Sequence, residues 1–382
     1  MTGTRLDRID CDTLTPFVRR ALRSPNVRVT EWDCEVLKGD WTSSRRLVSR
    51  VFGRGERQGE EVPWSIFLKV PNPTPSHLDP WHREAFQREP LLYQSGILDR
   101  LPGGIAAPRC LGVVEHADDE PWMWLEDVTG EPALRWPLER FEVAAYHLGL
   151  MHGWFLAGGP LPDPDWLDTG RWLRQSLGRG ARQIHPILER FERHPLTERL
   201  SGSETGRALR RLWADRELFF EAMDRMPRTL CHGDFNYTNL FARRLPSGED
   251  QTVAVDWQYC GLRQLGADIS GFIADSSIIP VRRKAAEPEE FTALALGGYL
   301  SGLRDGGGEG DVKTARFACL ARLALPWSFN LLRGLDAAVL SQQVCRQNRP
   351  QLEEKLDEYI RRQAFLLELA DEARALLRVI GP

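Results

Sequence analysis

The pattern of apolar residues changes near residue 129, and this change constrains the fold more than any other feature of the chain. Between residues 26 and 128, short runs rich in β-branched and aromatic residues alternate with turn residues, which is typical of strands. After residue 129, apolar residues recur with a helical period over long stretches such as Glu139 to Leu156 and Trp172 to Arg193. The sequence therefore predicts a β-rich first part and a mainly helical second part.

The length of the chain favours two domains, because 382 residues are more than one compact core usually accommodates. We predict an α+β fold with a first domain over residues 1–128 and a helical second domain over residues 129–382. The first domain is expected to hold one helix over residues 80–101 and five strands, over residues 26–37, 45–52, 64–70, 108–116 and 122–128. Residues 53–59 are rich in glycine and charge and are predicted as a turn-rich connection.

Charge and cysteine content exclude several classes of function. Fifty basic and 54 acidic residues give a net charge of −4, which offers no basic surface for nucleic acid. The seven cysteines never occur as Cys-x-x-Cys, so we expect neither a disulfide framework nor a zinc site, and a reducing cytoplasm fits best. No apolar stretch has the length of a signal peptide or a membrane span, so no membrane partner is expected.

The most informative motif runs from His232 to Asn239 and follows a predicted strand at residues 228–232. It places Asp234 five residues before Asn239, which is the Asp-x4-Asn spacing of a kinase catalytic loop. In such a loop the aspartate accepts the proton of the substrate hydroxyl, and the asparagine binds Mg²⁺. We therefore predict that Asp234 is the catalytic carboxylate and that Asn239 is a metal ligand.

Two charged residues elsewhere suit the same chemistry. Asp256 follows an apolar run at residues 253–255 and resembles the magnesium aspartate that follows the catalytic loop in kinases. Lys69 ends the third predicted strand, where its ammonium group could contact the α- and β-phosphates of a nucleotide. A lysine between two domains needs a carboxylate partner, and both Glu84 and Glu89 are candidates, of which we favour Glu89.

These motifs, together with Val255-Asp256-Trp257 and Gly266-Ala267-Asp268, resemble the aminoglycoside phosphotransferase and choline kinase family, which has a protein-kinase-like fold. The resemblance covers about residues 26–370, and its specific part is the central forty residues or so. It implies that Mg²⁺ and ATP or GTP are required. It also implies a base, Asp234, two metal ligands, Asn239 and Asp256, and a phosphate-positioning pair, Lys69 and Glu89.

The resemblance further implies a hinge and a loop that covers the phosphates. The hinge is residues 124–128, where the backbone of Glu126 and Val128 would contact the adenine. The loop is residues 38–44, but its one glycine does not match Gly-x-Gly-x-x-Gly. Backbone amides and the hydroxyls of Thr42, Ser43 and Ser44 would have to replace the missing glycines in phosphate binding.

Departures from protein kinases indicate a small-molecule acceptor. Trp257-Gln258 stands where protein kinases have Phe-Gly, no Ala-Pro-Glu segment follows, and no P-loop motif occurs anywhere. We expect the acceptor hydroxyl to belong to an antibiotic or related natural product. The alternatives are a metabolic kinase for choline, an amino acid or a sugar, and a nucleotide-binding pseudokinase. The expected assembly is a monomer or a homodimer.

Four further residues near the motifs are given other roles. His232 is expected to brace its loop, and Asp268 to accept backbone hydrogen bonds rather than bind a third metal. His147 and His152 are spaced by five residues, so they are expected in the core rather than as paired ligands. Trp327 is the candidate for the acceptor pocket.

Overall fold

The computed structural model describes residues 8–39, 47–71, 80–116, 120–161, 164–170, 172–193, 203–279, 286–308, 312–340 and 349–381. Thr42, Ser43 and Ser44 of the predicted phosphate-covering loop lie outside these residues. Within the described ranges, an antiparallel sheet precedes a mainly helical part, so the predicted α+β class is confirmed. The division at residue 128 stays a prediction.

The described strands are β1 (Arg28–Gly39), β2 (Leu47–Arg57), β3 (Glu60–Val70), β4 (Ile105–Ala106), β5 (Cys110–His116), β6 (Glu120–Glu126), β7 (Glu131–Pro132), β8 (Arg228–Cys231), β9 (Leu240–Arg244), β10 (Asp250–Ala254) and β11 (Gly261–Gln264). The described α-helices are α1 (Cys11–Leu22), α2 (Pro80–Gln94), α3 (Leu138–Leu156), α4 (Trp172–Arg193), α5 (Glu204–Ala214), α6 (Arg216–Asp224), α7 (Ala267–Ile273), α8 (Pro288–Asp305), α9 (Val312–Leu340) and α10 (Arg349–Ile380).

The main sheet has five strands in the order β1-β2-β3-β6-β5, and all neighbours are antiparallel. Its apolar face packs against α1, through Leu14 and Val18, to form a separate hydrophobic cluster. The sequence patterns did not predict α1. Its N-cap is Asp10, whose carboxylate accepts the backbone N–H of Thr13 at 2.7 Å, as helix starts commonly require.

The connection predicted over residues 53–59 is mostly strand. β2 and β3 pair out to Arg57 opposite Glu60, and only Gln58 and Gly59 form the turn, with φ of 55° and 85°. Gly53 is needed in the strand itself, because a Cβ there would lie 2.1 Å from the carbonyl oxygen of Glu31 on β1. Gly53, which was predicted as a loop residue, instead allows β1 and β2 to approach closely near a register shift.

The helix α2 continues through Pro90, where the sequence predicted a kink or a restart, and ends at Gln94 instead of Leu101. Leu92 and Tyr93, in its last turn, are buried in the larger hydrophobic cluster. This burial offsets the backbone hydrogen bond that the proline cannot donate. The helix thereby places the carboxylate of Glu89 in contact with Lys69 of β3.

Helices α3 and α8 form the centre of the helical part and pack at very short distance. A Cβ at Gly149 would lie 2.2 Å from the oxygen of Tyr299, and one at Gly302 would lie 2.0 Å from the oxygen of Tyr146. The two short helices α5 and α6 follow one another directly, with Asp215 between them. Among the residues that the structure describes, no helix is both long and apolar enough to cross a membrane.

Two smaller sheets accompany the main one. β8 pairs with β11, and a four-stranded sheet has the order β4-β10-β9-β7, in which β4 and β10 are parallel. The sequence predicted β8 and β10 but not β9 and β11. The loop at residues 232–239 joins β8 to β9, and Asp256 follows β10, so these pairs fix the separation of the motif residues.

Candidate active site

The 232–239 loop leaves β8 through a backbone turn that requires glycine. Gly233 has φ of 85°, and a Cβ there would lie 2.0 Å from the carbonyl oxygen of Tyr259. The carboxylate of Asp268, at the start of α7, accepts the N–H of His232 at 2.7 Å and that of Gly233 at 2.9 Å. Asp268 therefore holds the loop through its backbone, in the position expected of a structural residue.

His232 links the loop to the end of β10. Its Nε2 lies 3.0 Å from the carbonyl oxygen of Val255, and its Nδ1 lies 3.2 Å from the backbone nitrogen of Asp234. Because a carbonyl only accepts, Nε2 carries the hydrogen, and Nδ1 accepts the N–H of Asp234. Burial lowers the pKa of His232, which favours this neutral form. The imidazole is thus a fixed spacer between Asp234 and the strand that leads to Asp256.

The carboxylate of Asp234 is oriented by two side-chain amides of its own loop. Asn236 Nδ2 donates to Oδ1 at 2.8 Å, and Asn239 Nδ2 donates to Oδ2 at 2.9 Å. Asn239 Nδ2 also contacts the backbone oxygen of Asp234 at 2.9 Å, which fixes the direction of the amide plane. The backbone oxygen of Asn239 accepts the N–H of Val255 at 2.9 Å. These bonds bring Asn239 beside the residue that precedes Asp256.

Lys69 lies between two carboxylates from different parts of the chain. Its Nζ donates to Glu89 Oε2 and, at 2.7 Å, to Asp256 Oδ1. Glu89 Oε1 accepts the backbone N–H of Trp257 at 3.1 Å. The Lys69 and Glu89 side chains are 7% and 2% exposed, so both charges are compensated inside the protein. The side chain of Glu84 lies outside the described residues.

Asp256 adopts a left-handed backbone conformation, with φ of 67° and ψ of 63°, that residues other than glycine rarely take. Such a conformation costs on the order of 1–3 kcal/mol and concentrates at functional sites. From this turn, the Asp256 carboxylate contacts Lys69 Nζ at 2.7 Å.

A cavity of about 520 Å³ lies between the main sheet and the 232–239 loop, and we call it the sheet-side cavity. Its volume is within the usual range for small-molecule sites. It brings together the described candidates for nucleotide and metal binding, namely Lys69, Glu89, Glu126, Val128, Asn239 and Asp256. Apolar walls come from both sides, including Leu37, Val48, Phe67, Leu125, Phe241 and Val255.

At the hinge, the side chain of Glu126 is held by basic residues. Its Oε1 accepts from Arg243 Nη1 at 2.8 Å, and its Oε2 accepts the backbone N–H of Arg109 at 3.0 Å. The backbone N–H of Glu126 donates to the oxygen of Arg109 at 2.9 Å. That N–H is therefore engaged, and the groups of the hinge that remain to contact a ligand are its carbonyl oxygens and the N–H groups further along.

A second cavity of about 200 Å³ lies on the other side of the 232–239 loop, against α7 and α9, and we call it the helix-side cavity. Asp234 and Trp327 both line it, as do Arg263, Arg322 and Asn330. The sequence patterns did not single out the last three. One signal was available, because Arg322 is the single charged residue between Phe317 and Trp327, a segment that is otherwise apolar.

Comparisons with known proteins agree with this architecture. The model of the phosphotransferase enzyme family, APH, matches residues 44–303, which is more than half of the chain. The search of curated proteins gave no significant match. The structure of an aminoglycoside phosphotransferase from Alicyclobacillus acidocaldarius superposes with a TM-score of 0.52 at 17% identity, covering 85% of this chain and 92% of that one.

Two further solved structures match at lower TM-score. Plasmodium vivax ethanolamine kinase gives 0.46 at 12% identity, covering 94% of this chain and 86% of that chain. Amicoumacin kinase hAmiN, in complex with AMP-PNP, Ca²⁺ and Ami, gives 0.46 at 14% identity and 88% coverage of each chain. The resemblance predicted from the motifs is confirmed by the family match, and the chain belongs to the phosphotransferase enzyme family as a small-molecule kinase with a protein-kinase-like fold.

Proposed function

We propose that the protein transfers the γ-phosphate of ATP or GTP to a hydroxyl group of a small molecule, with Asp234 accepting the hydroxyl proton. One observation carries the proposal. Asn239 lines the sheet-side cavity, Asp234 lines the helix-side cavity, and a 2.9 Å hydrogen bond joins the two side chains. A nucleotide in the first cavity and an acceptor in the second would therefore meet at this pair.

The nucleotide would enter the sheet-side cavity with its base toward the hinge. The carbonyl of Glu126 and the N–H of Val128 would contact the base, since the N–H of Glu126 is already donated to Arg109. Lys69 would hold the phosphates, and Glu89 would keep its ammonium group in place. The loop residues Ser43 and Ser44 would cover the phosphates. This arrangement supports residues 1–128 as a nucleotide-binding domain.

The donor set fits a hard divalent cation such as Mg²⁺. Asn239 uses its amide nitrogen for Asp234, which leaves its amide oxygen as a ligand, and Asp256 adds a carboxylate in the same cavity. When bound there, Mg²⁺ would neutralise charge on the transferred phosphate. The protein's own contribution is to fix these oxygens and Lys69 around one point.

In the transfer step, Asp234 orients the acceptor hydroxyl in line with the γ-phosphate and accepts its proton as the new O–P bond forms and the bond to the leaving diphosphate breaks. Asn236 and Asn239 hold the two carboxylate oxygens, so the geometry is set before substrates bind. Position and charge, rather than covalent catalysis, would supply the rate enhancement.

The acceptor and the cellular location are finer parts of the proposal. We expect an antibiotic or related natural product as the acceptor, and the cytoplasm as the location. The alternative acceptors are choline, an amino acid or a sugar, and their phosphorylation would involve the same residues of the protein. A pseudokinase is disfavoured, because Lys69, Asp234, Asn239 and Asp256 are all in place for transfer.

The test is a nucleotide-consumption screen with Mg²⁺ and either ATP or GTP, against aminoglycosides, nucleoside antibiotics, choline, amino acids and sugars. Asp234→Asn should lower acceptor-stimulated turnover by about 10²- to 10⁴-fold while nucleotide binding stays within about twofold. Asp99→Asn, an exposed aspartate that lines neither of the two cavities, is the matched control. Full turnover by Asp234→Asn would refute the assignment, and nucleotide binding without turnover by the native protein would indicate a pseudokinase.

A further inference from the structure

The helix-side cavity contains two arginines with different surroundings. Arg263 donates to Asp168 Oδ2 at 2.6 Å, to the oxygen of Tyr259 at 2.7 Å and to the oxygen of Gly233 at 3.3 Å. Its guanidinium is thus committed to holding the 232–239 loop. The other cation, Arg322, has no such set of bonds.

Arg322 lies on α9, is 5% exposed and lines the cavity. Among the described residues, its guanidinium makes no hydrogen bond or ion pair, and the negative charges of Asp268 and Asp168 attract it only from a longer distance. Burial lowers the pKa of Arg322 to about 10, so the side chain remains charged at neutral pH. A charge that is nine-tenths buried and lacks a partner is unfavourable unless something else in the cavity supplies the partner.

Three aspartates line the cavity, Asp234, Asp268 and Asp275, and all of them already have partners. Asp234 accepts hydrogen bonds from Asn236 and Asn239, and Asp268 accepts two backbone N–H groups of the 232–239 loop. Asp268 also attracts Arg322, but without a direct hydrogen bond to its guanidinium. A ligand is then the natural source of an anion for this guanidinium.

The same face of α9 presents further groups to the cavity. Arg322, Pro326 and Asn330 are spaced by four residues, which places them on one side of the helix, and Trp327 lies beside them. Pro326 has no N–H, so the carbonyl of Arg322 loses its usual helical partner at this point. The wall is thus unusually polar for a buried helix, with a guanidinium, a carboxamide and a carbonyl next to an indole.

We infer that the acceptor carries an anionic oxygen group, a carboxylate or a phosphate, which Arg322 binds in the helix-side cavity while the acceptor hydroxyl faces Asp234. This inference rests on the proposed function and adds the charge of its acceptor. The planar guanidinium donates two parallel hydrogen bonds to either group. A cavity of about 200 Å³ suits a small acceptor, or the anionic end of a larger one.

Cationic groups fit poorly at the Arg322 end of this cavity. An ammonium group of an aminoglycoside next to Arg322 would meet a like charge in a site of low dielectric. A neutral sugar or glycerol would supply no anion to the guanidinium, which would stay without a direct partner as in the acceptor-free protein. The preferred order is therefore anionic acceptors first, neutral acceptors second and cationic acceptors last.

The experiment measures nucleotide consumption by the full chain with matched acceptors. The hydroxy acids gluconate and glycerate are compared with their neutral counterparts glucose and glycerol, and with the phosphate ester glucose 6-phosphate. Kanamycin and choline serve as cationic acceptors. The acids or the phosphate ester should have a KM about 10- to 100-fold below that of the neutral counterpart. Comparison of the hydroxy acids with the phosphate ester shows whether Arg322 binds a carboxylate or a phosphate.

Two variants assign the preference to Arg322. Arg322→Gln should raise the KM for anionic acceptors about 10- to 100-fold and leave the KM for neutral ones unchanged, and Arg322→Lys should restore part of the loss. Arg304→Gln, an exposed arginine on α8, is the control and should change neither value. An equal loss for anionic and neutral acceptors would mean that Arg322 has a structural role only.

A binding measurement decides the inference independently of turnover. In the presence of a non-hydrolysable nucleotide, the anionic probes at millimolar concentration should raise the Tm of the native protein and of Asp234→Asn, but not of Arg322→Gln. The ligand-free Tm of Arg322→Gln should not fall. No rise in Tm with any anionic probe, or a lower ligand-free Tm, would overturn the inference.

The two proposals fail in different ways. Phosphorylation of neutral or cationic acceptors, with no binding of the anionic probes, would retain the proposed function and overturn this inference. Binding of anionic probes through Arg322, with no turnover of any acceptor, would retain this inference and overturn the proposed function.

Discussion

Asn239 donates its side-chain N–H to Oδ2 of Asp234 at 2.9 Å and also lines the sheet-side cavity, so one residue both orients the proposed base and reaches the proposed metal site. The two side chains therefore act as a unit rather than as separate groups. Their removal should have effects that do not add.

We predict that Asn239→Ala lowers turnover about 10²- to 10⁴-fold, and that Asn239→Ala combined with Asp234→Asn is hardly worse than Asp234→Asn alone. Turnover of the two single variants and of the double variant forms a double-mutant cycle. Additive losses in that cycle would show that the two residues act independently. The cycle should be measured at several Mg²⁺ concentrations, because Asn239→Ala should also raise the Mg²⁺ requirement.

Lys69→Met should destabilise the protein, because it leaves the buried carboxylate of Glu89 without its counter-charge. The expected loss of unfolding free energy is about 3–5 kcal/mol, measured by urea denaturation. Lys69→Met with Glu89→Gln should recover most of that loss, since the carboxylate that remains, Asp256, is 21% exposed and so better solvated than Glu89, but neither variant should recover turnover. A single variant as stable as the native protein would argue against a fully desolvated pair.

Gly233→Ala should abolish turnover and lower the Tm, because its Cβ would collide with the oxygen of Tyr259 at 2.0 Å. Gly248→Ala is a matched control, since Gly248 has a similar φ of 88° but no atom within 4 Å of the place that a Cβ would take. It should lose only the cost of the left-handed conformation, about 1–2 kcal/mol, and keep full turnover. Equal effects of the two substitutions would mean that backbone strain, not the contact with Tyr259, requires glycine.

Stability should fall as the pH is lowered from about 6.5 toward 4. Burial lowers the pKa of His147 from 6.5 to about 4, so below 6.5 the unfolded chain takes up a proton that the folded protein resists. The neutral imidazole of His147 contributes about 3 kcal/mol to the free energy of unfolding. This contribution is fully present above pH 6.5 and is lost as the pH falls toward 4.

The check is the Tm measured across this pH range for the native protein and for His147→Gln. The variant should be less stable at pH 7, because the 3.0 Å contact of the imidazole with Thr252 is lost, and its Tm should vary less with pH. The buried His232 acts in the same direction, so some slope should remain in the variant. A slope unchanged by the substitution would exclude His147 as a source of the acid sensitivity.

The sequence predicted the sheet and the motif loop because both depend on local patterns. The strands show either alternating apolar and polar residues or continuous apolar runs, and Asp234 and Asn239 are five residues apart in one loop. The contacts that complete the site are between distant residues. Asp256 contacts Lys69 from a left-handed backbone conformation, and no sequence signal specifies that conformation at this aspartate.

The elements that were missed have similar reasons. The helix α1 is short and bears charge on one face, so its burial against the sheet could not be inferred without the sheet. Gly53 is a turn residue by type, whereas its role is close contact with β1. The sequence patterns did not single out Arg322, because its place in a cavity depends on how α9 packs against the 232–239 loop.

The helix α9 contributes Arg322, Trp327 and Asn330 to the helix-side cavity and none of the described residues that line the sheet-side cavity. The residues proposed to select an acceptor are thus encoded on a different stretch of the gene from those proposed to hold the nucleotide and carry out transfer. Natural selection can change the first set without disturbing the second. A lineage with this fold can acquire a new acceptor through a few codons of one helix while its phosphoryl-transfer chemistry is inherited intact.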